Sequence, residues 1–310
     1  MAASGPAGLP RFGGLTVLTE ARPPLLPTLG ILVVGTLYLY GVRRLRSEGH
    51  HWAVGRTLAF LVGGLGTLAV ALCSGLERYD GVLFGAHMVQ HMLLAMVAPV
   101  FLALGAPVTL ALRTLPRRGR AGLLRVLHSR VVKVISFPAV PWLLFVGSPF
   151  ALYSSGWYPA TLQTPLLHDL LHLHFVVVGC LFFWPILGID PVPGRVSHPF
   201  RILMLFATMP FHAFLGVSIM SVGADGKGLI APEHYLPLIG RADAVFQQQV
   251  GGGLIWASGD IVGLLFIFVA AAQWMRASDR EAAREDRRLD RLEAAEAAEA
   301  AASAGLGSPA

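Results

Sequence analysis

The chain has 310 residues, 55% of them hydrophobic and only 14% charged, with a formal net charge of +6 and a mean hydropathy of +0.63. That balance excludes a large soluble core and describes a polytopic membrane protein. The basic excess does not point to nucleic acid, because it follows the connections between apolar runs instead of forming one patch.

Residues 1–24 are rich in Gly, Pro and Ala and lack the ordered basic start, short apolar run and cleavage site of a signal peptide. The first span is therefore expected to stay as an anchor. A spanning helix needs ~20 apolar residues, and seven runs qualify: 25–42, 57–75, 82–104, 132–153, 164–187, 199–221 and 249–275. Helices are expected, because unpaired backbone groups cannot face lipid and the runs lack the alternation of barrel strands. The expected fold is an all-α integral membrane protein, a bundle of seven transmembrane helices over 25–275, with a mobile segment at 1–24 and a charged tail at 276–310.

Arg43, Arg44, Arg46 and Arg56 follow the first span, and Arg113, Arg117, Arg118, Arg120, Arg125, Arg130 and Lys133 follow the third. Arg195 and Arg201 follow the fifth, and six arginines between Arg276 and Arg291 follow the seventh, so one face holds 19 of the 24 basic residues. The positive-inside rule places that face in the cytoplasm, the N-terminus outside and the C-terminus inside. Anionic lipid is a partner for the basic loops; nucleic acid is not. Cys73 and Cys180 lie at different depths, so no disulfide is expected, and the absence of CxxC removes the commonest thiolate copper motif.

Glu77 and Asp80 stand just before the third span and read as rim residues facing solvent. That span begins AHMVQHMLLAMVAPVFLALGAP and carries His87 and His91, ~7 and ~13 Å below its outer end at 1.5 Å per residue. Span four is punctuated by Pro138, Pro141 and Pro149, which predicts kinks. Span five, TPLLHDLLHLHFVVVGCLFFWPILG, carries His168 and His172 at ~6 and ~12 Å, whereas His174 points ~200° away from His172. Span six runs outward and sets His212 ~12 Å below its outer end. The 222–248 segment, with its Gly, Pro and charges, reads as the longest outer loop, a lid or docking surface carrying His234. Span seven holds Asp260 ~16 Å deep, where a carboxylate faces the bundle interior with a partner.

Three helices thus place imidazoles in one layer of the outer third of the membrane. A single membrane histidine reads as a helix–helix hydrogen bond. Five in one layer, with two i,i+4 pairs, read as a metal site, because such a pair presents two rings from one helix face. The candidate ligands are His87, His91, His168, His172, His212 and Asp260. Met88, Met92 and Met209 are possible thioether accessories, Asp169 a possible acceptor that fixes the His168 tautomer, and His234 a possible accessory ligand. Imidazole with thioether favours copper. Met is also a routine gap filler in cores.

Four motifs in order, HMVQHMLLAMVAPVFLALGAP, LLHDLLHLHFVVVGCLFFWPILGIDPVPGR, MPFHAFLGVSIM and QQVGGGLIWASGDI, resemble the seven-span CtaG family of cytochrome c oxidase assembly proteins, the caa-type branch. The resemblance covers roughly 25–275. It implies a bacterial plasma-membrane protein, a non-enzymatic metallochaperone that supplies copper to haem–copper oxidase subunits from an extracytoplasmic donor. Three other readings stay open from the residues alone. Haem could be held by two imidazoles. A membrane enzyme could use Asp260 or Asp169 as base to zinc-bound water, though no nucleophile is poised beside them. A transporter would need polar groups continuing to the inner side, and the sequence offers little there beyond Cys180.

Overall fold

The structure, a computed structural model, describes residues 8–191 and 196–305. It is all-helical, with no strand among the described residues. The helices that position the site are α1 (Leu25–Ser47), α2 (Val54–Cys73), α3 (Leu76–Asp80), α4 (Phe84–Thr114), α5 (Ala139–Tyr153), α6 (Trp157–Gln163), α7 (Pro165–Leu187), α8 (His198–Met220) and α9 (Pro232–Gly305). Of these, α1, α2, α4, α7, α8 and α9 are long and apolar enough to cross a membrane. Large apolar side chains such as Leu32, Phe206, Phe214 and Phe268 stand exposed along them, as lipid-facing residues do. The chain is a multi-pass membrane protein.

The fourth expected span differs. Its apolar helix α5 has 15 residues, a length of ~22 Å against a hydrocarbon core of ~30 Å. The missing part, Arg130–Ile135, is a separate helix. Pro138, lacking an N–H, stands at the start of α5, where it interrupts the backbone hydrogen-bond ladder between the two pieces. The 222–248 segment is also corrected. Helix α9 begins at Pro232 and is interrupted only at Gly240 (φ 75°), so the irregular stretch is confined to the residues just before it. Beyond residue 276 the tail continues α9 to Gly305; no Gly or Pro occurs between 264 and 304, and Ala, Glu and Arg are strong helix formers. Arg195 of the basic loop lies outside the described residues.

Helix α4 forms the axis of the site. A π turn at Leu93–Val97 begins two residues after His91. Pro99 lies just beyond it and has no N–H to offer the Ala95 carbonyl, the usual cause of such a bulge. Ala106 then takes a left-handed conformation (φ 51°), and the chain restarts as a helix at Pro107. Asp190 caps that restart: Val108 N and Thr109 N donate to its carboxylate at 3.1 and 2.8 Å. Trp184 Nε1 donates to the same carboxylate at 3.1 Å, tying α7 to α4 at the arginine-rich end.

Helices α4 and α7 meet at Gly179, where an added Cβ would lie 2.2 Å from Ala95 O and 2.6 Å from Pro99 Cγ. Only glycine permits that approach, and it carries the His87/His91 face of α4 against the His168/His172 face of α7. Helices α8 and α9 pack along each other, and α9 also lies on the first part of α4.

Candidate metal centre

The i,i+4 spacing puts His87 and His91 one above the other on α4, ring centroids 3.8 Å apart, and His168 and His172 likewise on α7, 4.5 Å apart. The pairs face each other, with 5.8 Å between His87 and His168 and 6.1 Å between His91 and His172. His87, His91 and His172 are at most 3% exposed.

The residue that joins the pairs is Asp80, read from the sequence as a solvent-facing rim residue. That expectation is corrected. Asp80 ends the short helix α3, which folds back over the start of α4, and it is 3% exposed. Its Oδ2 accepts from His168 Nε2 at 2.7 Å and lies 3.4 Å from His172 Nε2 and 4.0 Å from His87 Nδ1. Burial alone would favour the neutral acid; the His168 hydrogen bond and the surrounding imidazoles outweigh it and hold the carboxyl well below its ordinary range. Asp80, not Asp169, is the acceptor that orients His168.

Tyr153, the last residue of α5, closes the other side. Its hydroxyl lies 3.3 Å from His87 Nε2, 3.0 Å from His91 Nδ1 and 3.6 Å from Met88 Sδ. A hydroxyl carries one proton, so at least one of the two rings must donate to it. That ring's far nitrogen then presents a lone pair. The far nitrogens, His87 Nδ1 and His91 Nε2, are buried without a hydrogen-bond partner, as is His172 Nε2. Each such orphan costs about 1–3 kcal/mol.

Gln90, between the α4 histidines in sequence, points the other way and is fully buried. Its amide donates to Ala71 O at 2.9 Å and to Glu77 Oε2 at 2.5 Å. Glu77 is thus also drawn inward, and burial with the neighbouring Asp80 charge pushes its carboxyl up. Two triads result: one ligand atom each of Asp80, His87 and His168 lie within 4.8 Å of one another, and so do those of Glu77, Asp169 and His172. An apolar cleft of about 690 Å³ between α1, α2 and α7 reaches Asp169 and His172.

The remaining candidates lie elsewhere. His212 is buried, but its Nδ1 faces Thr208 O at 3.2 Å, and its ring packs on Phe145 and against Gly259 of α9. Asp260 accepts from Trp256 Nε1 at 2.8 Å. Neither joins a triad. Met92 is partly buried in the core and Met209 lies against Gly263. His234 Nε2 donates to Gly81 O at 2.7 Å, bracing the turn between α3 and α4. Sequence reasoning missed Asp80 and Tyr153. The available signals were the Asp80–Gly81 turn immediately before a histidine-bearing helix, and a tyrosine ending an apolar run at the histidine level.

Comparison with known proteins bears on this arrangement. The chain is 38% identical over 267 residues to uncharacterized proteins of Mycobacterium bovis and Mycobacterium tuberculosis, and 38% identical over 270 residues to one of Mycobacterium leprae. Each alignment covers 84% of this chain but only 40% of the relative, so the chain spans less than half the length of the proteins it matches. No solved structure matches it. Residues 36–277, which hold both triads, match the family described as cytochrome c oxidase caa3 assembly factor, and the chain belongs to that Caa3_CtaG family.

Proposed function

We propose that this chain serves oxidase assembly by holding a copper ion between α3, α4 and α7 and passing it to an apo-subunit of the haem–copper oxidase. The observation that carries the reading is the set of buried ring nitrogens without partners, at His87, His91 and His172, around the buried carboxylate of Asp80. Core packing would be served better by leucine, because each orphan nitrogen costs stability that an apolar side chain would not. A cation supplies the missing partner for lone pairs and carboxylate at once. Imidazole suits copper, and the absence of thiolate from the site suits a transient grip.

In this reading α5 is the seventh span, the arginine-rich end is cytoplasmic, and the histidine end faces outward. Copper is cargo. Asp80, His87 and His168 hold it, His91 and His172 stand ready as exchange ligands, and Tyr153 keeps the α4 rings oriented. The protein forms no bond to a substrate carbon and has a non-catalytic role. A haem is disfavoured by the packing. Asp80 Oδ2 stands between the facing rings, 2.7 Å from His168 Nε2 and 4.0 Å from His87 Nδ1, where a porphyrin ligated by that pair would have to lie.

The test is metal analysis of the purified protein beside His87→Ala/His168→Ala, with oxidase copper occupancy measured in cells carrying only that variant. Copper should fall in both while the protein still inserts. Full oxidase metallation in the variant would refute the reading, and a Soret band in the purified wild type would replace it with the haem reading.

A further inference from the structure

We propose that Glu77, Asp169 and His172 form a second metal site, suited to a divalent first-row ion such as Zn²⁺ or Cu²⁺. The first observation is proximity: residues from α3 and α7, 92 positions apart between Glu77 and Asp169, bring one ligand atom each within 4.8 Å of one another. The second concerns one of the three, His172, which borders Asp80 as well. His172 is 3% exposed, and its Nε2 has no hydrogen-bond partner.

The carboxylate from α3 is also held in place. Gln90 donates to Glu77 Oε2 at 2.5 Å while its amide is fixed by Ala71 O at 2.9 Å. A buried glutamine oriented in this way behaves as the outer support that fixes a ligating carboxylate. Asp169, which the sequence offered as a hydrogen-bond acceptor for its neighbour or as a base to zinc-bound water, is exposed and lies on the wall of the apolar cleft beside His172.

Donor chemistry separates the two triads. Asp80, His87 and His168 offer two imidazoles and one carboxylate, with two further imidazoles adjoining. Glu77, Asp169 and His172 offer two carboxylates and one imidazole, a harder set that favours divalent over cuprous ions. Exposure separates them as well, since Asp169 is exposed where Asp80 is buried. The second triad is therefore the one an ion meets first. His172 belongs to the second triad, and its Nε2 lies 3.4 Å from Asp80 Oδ2 of the first, so an ion held at the second site would be one ring away from the inner one. This loading role rests on the copper reading above; the existence of the second site does not.

The experiment uses the full chain in detergent, stripped of metal and titrated with Zn²⁺ in competition with a chromophoric chelator. Wild type should take up two equivalents. Glu77→Gln/Asp169→Asn should lose one, and Asp169→Asn alone, at an exposed position where folding is not at stake, should weaken that equivalent by at least the roughly tenfold that loss of an outer-shell partner costs. Unchanged stoichiometry and affinity in the double variant would overturn the second site, whether wild type binds one ion or two. His87→Ala/His168→Ala separates the two claims. If it keeps both equivalents while Glu77→Gln/Asp169→Asn loses one, the inner triad fails and the second site stands.

Discussion

Replacing Asp80 by Asn tests the centre of the arrangement, because it removes a charge while keeping shape. The His168–Asp80 hydrogen bond is 2.7 Å long, and the two side chains are 13% and 5% exposed. A hydrogen bond to a charged group contributes about 1.5–3 kcal/mol. For a chain of this size each kcal/mol moves the melting midpoint by roughly 2–4 °C, so Asp80→Asn should melt about 3–12 °C lower. The comparison is made in one detergent at one scan rate. The pH dependence has a definite sign. The folded carboxyl is held below its ordinary range, so its contribution is complete above about pH 4 and is lost only as acid carries the pH down through the lowered value. The gap between wild type and variant should thus be full at pH 7 and close only in strong acid. Because Asp80 is a proposed ligand, metal affinity should fall by more than the roughly 10–100-fold that loss of an outer-shell partner costs. A variant with wild-type melting and wild-type affinity would show that Asp80 does not bridge α3 to the histidines, and both triads would lose their geometry.

Gly179→Ala should force α4 and α7 apart, because its Cβ would meet Ala95 O at 2.2 Å. About 1–3 kcal/mol of stability and most of the inner-site metal should be lost together, and binding retained at full affinity would break the link between that contact and the site. Tyr153→Phe strips the shared partner from His87 and His91 and should cost about 1–3 kcal/mol, read by thermal melting without metal. Glu77→Gln should act oppositely in the metal-free protein. Burial and Asp80 raise this carboxyl, so its ionised form costs stability above the raised value, and the variant should melt higher than wild type at pH 7 with the gain shrinking as pH falls. A reporter enzyme fused after the C-terminus should be active only in the cytoplasm; periplasmic activity would invert the proposed orientation.

What the sequence could and could not convey follows from what a helix fixes. Rise per residue is constant, so the depths of His87, His91, His168 and His172 along their helices followed from counting. The i,i+4 spacing fixed which rings share a face. Neither quantity says how one helix is turned toward another. His212 has the same reckoned depth, yet α8 presents it to Phe145 and Gly259 instead of to the centre. That rotation is set by small-residue contacts, such as Gly216 of α8 against Gly252 of α9, whose partners no periodicity names. Asp80 was hidden for another reason. It precedes the apolar run, and composition assigns such a residue to solvent. The five-residue α3 turns it back under cover, with the adjoining Gly81 turn braced by a histidine 153 positions away in sequence, His234.

These polar groups matter more than their number suggests. Asp190 is buried more deeply than Asp80, yet its oxygens are taken up by two backbone N–H groups, a threonine hydroxyl and an indole N–H. That is how a structural carboxylate is placed, with its bonding capacity filled by the fold itself. Around Asp80 capacity is left open: three imidazole nitrogens, on His87, His91 and His172, are buried without partners. Two buried carboxylates in one bundle thus differ in what surrounds them. Asp190 staples α4 to α7, whereas Asp80 accepts from His168 amid imidazole nitrogens that the fold leaves without partners, the arrangement on which the proposed metal site rests.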